Sequence, residues 1–442
     1  MGSELTFAPA RALSGTVHVP GDKSLTHRAY LLAAVAEGTS RIEGANDGAD
    51  CRATLSAVER LGVAVVREAR GAVAITGCPE GFASTAARAG EALTLDLGNS
   101  GTGLRLLAGL LAGRNVEAVL TGDASLSRRP MARIAAPLTE MGAQVTATGS
   151  AQTPPLRVRG TALDGTELAG IRYTSPIASA QVKSCVLLAG LSARGTTWVE
   201  EPVRSRDHTE RLLPAFGVAV TQPTPTSVRI EGPVTPHASA VAVPGDFSAA
   251  AFWLVAGSIV GEGEIVIENV GLNPTRTGAL EVLGRMGASI EVVHRRIVGE
   301  EPVGDLRVRP ASLVATAIAP EEVPGLIDEL PVLAIAMACA TGQSSVAGAG
   351  ELRVKESDRI ALLVSQLRAL GVKVDERPDG FSIDGGPIQG GSVESAGDHR
   401  IAMAFGILAL AAQAPVRVRE AEMIDTSYPS FYIDLRDRVT PR

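Results

Sequence analysis

A chain of 442 residues is too long for one ordinary core, and its length favours two large domains. With 45% hydrophobic and 20% charged residues it carries the material for packed cores together with enough charge for a globular surface. The 41 Lys and Arg against 48 Asp and Glu leave a net charge of −7, which argues against broad binding to nucleic acid or to an anionic membrane, so an anionic ligand has to be met by a local cluster of cations.

The N-terminal stretch MGSELTFAPARAL lacks the basic start and apolar core of a signal peptide, and a cytoplasmic protein is expected. Cys51, Cys78, Cys185 and Cys339 are scattered, with no short spacing of the zinc or redox kind, which reads as free, mostly buried thiols in a reducing compartment. Apolar segments such as 330–340 suit a buried helix but fall short of the roughly 20 residues that span a bilayer.

Two strand-like runs, LTFAPA and GTVHVP, open the chain. A helix-length apolar segment then starts near Ser24, and others follow near Gly101, Ser179, Ser248, Asp328 and Asp398, at a spacing of about 70 to 80 residues. Each is followed by a short strand-like run such as GTSRIEG, GTTWVEE or GEIVIEN. In five of the six units an amphipathic helix comes next and closes on glycine, at Gly62, Gly142, Gly217, Gly287 and Gly371; in the last of these, Ile360, Leu363, Leu367 and Leu370 recur at helical spacing. A strand pair stands behind each glycine, for instance VKVDER with FSIDG.

The unit therefore reads as helix, strand, helix, strand, strand. The sixth unit lacks its strand pair, and the two N-terminal runs are expected to complete it. VHVPGDKSLTHRAYLLAAVAEG from Val17 also corresponds to VAVPGDFSAAAFWLVAGSIVGEG from Val241, so the two halves match. The chain is expected to form an α/β protein of two domains with three repeats each: residues 22–243 as an inserted domain, and 1–21 with 244–442 as a discontinuous one. The apolar helices, apolar nearly all round, are expected inside a ring of sheets and outer helices.

Out-of-place polar residues gather where the apolar helices start and where the next strands end. Helix starts present unpaired N–H groups and a positive dipole end that attract anions. Lys23, Ser24 and Arg28 flank the first start and read as a phosphate cradle or as an ordinary cap with two solvated cations. LGNSGTGLR around Gly101 is a glycine-rich helix entry that lets a ligand approach the backbone. Arg128, Arg129 and Arg133 follow the second unit's strand, where a guanidinium can grip a carboxylate or phosphate through two bonds.

Ser179, Ala180 and Gln181 open the third helix with hydroxyl and amide donors suited to a polyol phosphate, although capping alone explains Ser179 equally well. Arg206 repeats the cation at a strand end. In the second half the same places hold Asp328, then Lys355, Glu356 and Arg359, and finally Asp398, His399 and Arg400. A run such as KESDR is by itself most often a solvated helix start; recurrence of the location across six units favours a site. The six histidines form no ligand-spaced pair, so no metal is expected, and no Ser-His-Asp arrangement stands out.

PGDKSLTHR, LGNSGTGLR, GDASLSRRPM, SAQVKS, SRDHTE, ELRVKESDR and GDHRIAMAF, in this order and across nearly the whole chain, resemble the EPSP synthases, the 3-phosphoshikimate 1-carboxyvinyltransferases of the enolpyruvyl transferase family. The resemblance implies a two-domain inverted α/β barrel of six βαβαββ repeats, closing over substrates held in the cleft between the domains. It also implies transfer of the enolpyruvyl group of phosphoenolpyruvate to the 5-hydroxyl of shikimate 3-phosphate, a step toward chorismate and the aromatic amino acids. By motif, shikimate 3-phosphate is expected at Lys23, Ser24, Arg28, Ser179, Ala180, Gln181, Arg206, Asp328 and Lys355, and phosphoenolpyruvate at Lys23, Gly101, Arg129, Gln181, Arg359 and Arg400.

Asp328, Glu356 and Lys23 are the expected catalytic residues, with no cofactor, no metal and no macromolecular partner, and a monomer is the family's expectation. The last motif departs from some members: Asp425 to Pro429 carries no lysine, which resembles the second of two broad classes in this glyphosate-target family. Gly101 leaves the phosphoenolpyruvate side uncrowded, so the two features pull glyphosate sensitivity in opposite directions.

Three other readings stand beside this one. UDP-N-acetylglucosamine enolpyruvyl transferases share fold and donor, but they carry an asparagine after the first lysine, where Ser24 stands here, and a cysteine or aspartate on a glycine-rich loop; the loop around Gly122 to Arg129 has no cysteine. A non-catalytic repeat scaffold would have shed Lys23, Asp328 or Glu356. An RNA phosphate cyclase is disfavoured by the acidic balance and the lack of a catalytic histidine motif.

Overall fold

The computed structural model describes residues 3–82 and 92–442. The chain divides into two compact units, one of residues 21–243 and one of residues 1–20 with 244–442, so it passes from one unit to the other at Pro20/Gly21 and again at Val243/Pro244.

In the unit 21–243 three apolar helices are central: α1 (Lys23–Val35), α3 (Gly101–Leu111) and α5 (Ala180–Gly190). Each begins at a polar cap that fills an orphan backbone N–H, supplied by Asp22, Ser100 and Ser179. Helix α3 packs against both α1 and α5, and the apolar residues of all three are buried in one core. The amphipathic helices α2 (Ala49–Arg60), α4 (Ala132–Glu140) and α6 (His208–Ala215) bury one face each.

Among the described residues three sheets accompany these helices. In the second, strand Leu93–Asp96 runs parallel to Glu117–Thr121, which pairs antiparallel with Leu156–Arg159 and through it with Gln144–Ala147. The strand ahead of the apolar helix, here Leu93–Asp96, is absent from the repeat read off the sequence, and it turns helix, strand, helix, strand, strand into βαβαββ. Its four-residue length and the single alternation LTLD give it almost no periodic signal.

The other unit repeats the plan. Helices α7 (Phe247–Ile259), α9 (Leu330–Ala338) and α11 (His399–Ala411) pack against one another, and α8 (Gly278–Arg285), α10 (Arg359–Ala369) and the short α12 (Phe431–Arg436) bury one face each. The five glycines that close the outer helices, Gly62, Gly142, Gly217, Gly287 and Gly371, all have φ between 77° and 102°, the left-handed turn that lets the chain leave the helix for its strand pair.

The N-terminal strands divide their allegiance, which corrects the expectation that both complete the last repeat. Glu4–Phe7 does so, pairing antiparallel with Val416–Arg419, while Ala10–Leu13 pairs with Val439–Pro441. Gly15–Val17 instead runs parallel to Ile265–Gly271 in the sheet of the fourth repeat. The reason lies at the crossings. Strand Ala240–Ala242, which leads into α7, stays behind and runs parallel to Thr39–Glu43 in the first repeat. Each unit therefore takes its first parallel strand from the segment that leads out of it.

Candidate active site

In the unit 21–243 the candidate residues converge around the starts of α1, α3 and α5. Lys23 Nζ lies 2.9 Å from Asp50 Oδ2 on α2, and both side chains are largely buried. Arg28, one turn further along α1, is 2% exposed. Its Nε donates to Thr209 Oγ1 at 2.7 Å, its Nη2 to Ser184 Oγ at 2.7 Å and its Nη1 to the Ser24 carbonyl at 2.8 Å, so one guanidinium ties α1 to α5 and α6.

Gly101 begins α3 beside two arginines. A Cβ placed there would come within 2.8 Å of Arg105 Nη1 and 2.9 Å of Arg129 Nη1, so the missing side chain is what admits both guanidiniums. Arg129 Nη2 donates to Asn99 Oδ1 at 2.7 Å. Gln181 is held from both ends, its Oε1 accepting from Arg105 Nη1 at 2.7 Å and its Nε2 donating to Thr102 Oγ1 at 2.9 Å. Ser179 caps α5 and Ala180 is its first residue. Arg206 lies in the turn between strand Ala193–Glu200 and α6.

Behind this cluster His27 is fully buried, with Nδ1 2.8 Å from Thr54 Oγ1 and Nε2 3.4 Å from Ser100 Oγ. Burial, reinforced by the charges of Lys23 and Arg28, holds its pKa well below the usual histidine value, so it stays neutral between two cations.

In the unit 1–20 with 244–442 the candidates also meet. The Asp328 carboxylate, just ahead of α9, has Lys355 Nζ at 3.9 Å, Arg359 Nη1 at 3.6 Å and Arg400 Nη2 at 3.8 Å, and its carbonyl accepts from Arg400 Nη1 at 3.0 Å. Glu356 Oε2 lies 2.7 Å from Arg359 Nη2. Arg359, with no exposed side-chain surface, also donates to both oxygens of Asp398, the residue that caps α11. Burial alone would lower its pKa, but the charges of Asp398, Glu356 and Asp328 outweigh that and hold it above the ordinary arginine value. Arg359 Nη1 is buried and makes no hydrogen bond within the protein, its nearest carboxylate oxygen, Asp328 Oδ1, standing 3.6 Å away.

Thus Lys23, Ser24 and Arg28 lie in the first turns of α1, Gly101, Arg129 and Gln181 meet around Arg105, Ser179 and Ala180 open α5 and Arg206 lies in the turn before α6, while Asp328, Lys355, Glu356, Arg359 and Arg400 form one cluster in the other unit. The sequence reading missed Asp50 and Arg105. Arg105 carried a usable signal, being the one charge in the otherwise apolar α3; Asp50 carried none, since an acid in the first turn of a surface helix is commonplace. Among the described residues no group of three or more His, Cys, Asp or Glu is placed to hold a metal ion, and no helix is long and apolar enough to cross a membrane.

The sequence model of EPSP synthase (3-phosphoshikimate 1-carboxyvinyltransferase) matches residues 7–435. The chain is 52% identical over 436 residues to the 3-phosphoshikimate 1-carboxyvinyltransferase of Halorhodospira halophila, covering 98% of this chain and 96% of that one. It is 47% identical to the enzyme of the same name from Gloeobacter violaceus, covering 98% of each. Among solved structures, an EPSP synthase from Acinetobacter baumannii superposes with a TM-score of 0.86 at 42% identity, covering 99% of this chain and 98% of that one. An enolpyruvyl transferase from Streptomyces tendae, at 20% identity, shares the fold, with a TM-score of 0.77 and coverage of 99% and 98%. With a family model spanning nearly its whole length and relatives at about half identity, this chain belongs to the EPSP synthase family.

Proposed function

We propose that the protein transfers the enolpyruvyl group of phosphoenolpyruvate to the 5-hydroxyl of shikimate 3-phosphate, releasing phosphate. The observation that carries this is the match to 3-phosphoshikimate 1-carboxyvinyltransferases over nearly the full chain at about half identity. Both substrates are multiply anionic, and an acidic chain that buries Arg28, Arg129, Arg359 and Arg400 beside helix starts has the means to bind them.

Shikimate 3-phosphate is assigned to Lys23, Ser24, Arg28, Ser179, Ala180, Gln181, Arg206, Asp328 and Lys355. Phosphoenolpyruvate is assigned to Lys23, Gly101, Arg129, Gln181, Arg359 and Arg400. In the reaction the 5-hydroxyl oxygen bonds to C2 of phosphoenolpyruvate as C3 gains a proton, giving a tetrahedral ketal; the C2–O bond to phosphate then breaks as C3 gives its proton back. One group must take the hydroxyl proton, and another must lend and recover the proton at C3. Asp328 takes the first role and Glu356 the second. Arg359 beside both carboxylates fixes their orientation, and Lys23 stabilises charge developing on the leaving phosphate.

The test is phosphate release from phosphoenolpyruvate with shikimate 3-phosphate or UDP-N-acetylglucosamine supplied separately. Release with shikimate 3-phosphate alone is expected. Release with the nucleotide sugar alone overturns the acceptor, and no release with either overturns the reaction.

A further inference from the structure

A buried ion cluster lies directly beneath the start of α5. Lys183 Nζ is 2.8 Å from Glu201 Oε2 and 2.8 Å from Glu210 Oε1, and all three side chains are at most 4% exposed. Burying two carboxylates and an ammonium costs several kcal/mol per ion before pairing, so such a cluster adds little net stability over an apolar core of equal volume. Its value has to be sought in what it holds in place.

Glu201 is the informative member. Its Oε1 accepts the backbone N–H of Ser179 at 2.8 Å, and its Oε2 accepts the Ser205 hydroxyl at 2.7 Å and the Ser205 N–H at 3.4 Å. One carboxylate thus joins the residue that caps α5 to the turn that carries Arg206. Lys183 completes the connection. It sits one turn along α5, with its N–H bonded to the Ser179 carbonyl, and its ammonium reaches back to Glu201 and to the Ser205 carbonyl at 3.5 Å. Glu210 shares the ammonium but bonds neither Ser179 nor Ser205, and its Oε2 makes no hydrogen bond. Burial alone would lower the pKa of Lys183, but the charges of Glu210 and Glu201 outweigh it and hold the pKa above the ordinary lysine value, so the ammonium stays charged.

We infer that Glu201, held by Lys183, is a positioning residue for the acceptor substrate: it sets the distance between the Ser179–Gln181 helix start and the Arg206 turn, and thereby the spacing of the donors that receive the phosphate and hydroxyls of shikimate 3-phosphate. This rests on the assignment of those residues to shikimate 3-phosphate in the proposed function. The chemistry fits a positioning role, because Glu201 spends its acceptor capacity on backbone and on groups beside the proposed binding residues and donates nothing to a ligand.

The experiment compares Glu201→Gln with Glu210→Gln in the intact protein. Both remove one negative charge from the same buried cluster and keep the side chain's size, but only the first disturbs the bonds to Ser179 and Ser205. Shikimate 3-phosphate binding is measured by titration calorimetry without phosphoenolpyruvate, and KM and kcat by phosphate release, with thermal unfolding recorded for each variant. Glu201→Gln is expected to weaken shikimate 3-phosphate binding and raise its KM about tenfold while kcat falls less than about threefold; Glu210→Gln is expected to keep binding within about twofold. Equal weakening by both variants, or unchanged binding in Glu201→Gln, overturns the inference. If Glu201→Gln does not fold, Ser205→Ala, which removes one of the same bonds without altering charge, carries the test, with about threefold weaker binding expected and unchanged binding overturning it. A wild-type protein that binds no shikimate 3-phosphate overturns the proposed function and this inference together, whereas wild-type binding with a failed comparison overturns the inference alone.

Discussion

The guanidinium of Arg359 and the carboxylate of Asp398 form a two-point contact, Nε to Oδ2 at 2.8 Å and Nη2 to Oδ1 at 3.2 Å, with neither side chain exposed to solvent. The geometry explains how a fully buried arginine is tolerated beside Asp328 and Glu356. The planar fork is fixed by a residue that is itself fixed, since Asp398 also caps α11 through the Arg400 N–H at 3.0 Å.

Replacing Asp398 by Asn keeps the cap but removes the largest compensating charge on Arg359. Breaking a buried pair in this way is expected to cost about 3 kcal/mol of stability, read as a lower urea midpoint at unchanged slope. An unchanged midpoint would mean that Glu356 and Asp328 suffice to hold Arg359.

Asp328→Ala and Glu356→Gln are each expected to lower kcat by about 100-fold to 10,000-fold in the phosphate-release assay, the usual cost of removing a positioned acid or base. Thermal unfolding should confirm that both variants are folded. A variant that keeps more than about a tenth of wild-type kcat would lose its assigned proton-transfer role.

Gly101→Ala places a methyl group against Arg105 and Arg129, whose side-chain tips can move aside. Folding should therefore change by less than about 0.5 kcal/mol, while the displaced guanidiniums raise KM for phosphoenolpyruvate about tenfold. Steady-state kinetics with phosphoenolpyruvate varied at saturating shikimate 3-phosphate decide this, and an unchanged KM would detach Arg129 from the donor substrate.

His27 makes stability depend on acidity. Its folded pKa lies below the unfolded value of 6.5, so between the two the unfolded chain binds a proton that the native state does not. The contribution is fully present above pH 6.5 and is lost as pH falls toward the folded pKa, at a slope of up to about 1.4 kcal/mol per pH unit. Urea titrations from pH 7.5 down to 5, comparing wild type with His27→Asn, should show a shallower slope in the variant. Equal slopes would mean that His27 titrates normally.

The repeat was legible in the sequence because its central helices are apolar all round and its outer helices end on glycines that the turn requires, both strong local signals. The strand Leu93–Asp96 ahead of α3 was not: four residues pairing in parallel with a distant strand leave little periodicity. Gly15–Val17 was misplaced for a related reason, since nothing in three residues says which sheet they join. In the candidate site, residues at helix starts were legible because cations and hydroxyls stand out there. Asp50 and Glu201 were hidden because their importance lies in what they touch 27 and 22 residues away, at Lys23 and Ser179.

The pairing of Glu4–Phe7 with Val416–Arg419 also has a temporal side. All the residues of the unit 21–243 emerge from a ribosome in one stretch, so that unit can fold while translation continues. The opening strand has no such luxury: at ordinary elongation rates roughly 20 to 80 s pass before its partner is made. During that interval Leu5 and Phe7 lack the strand partners Val418 and Val416 that they have in the folded chain.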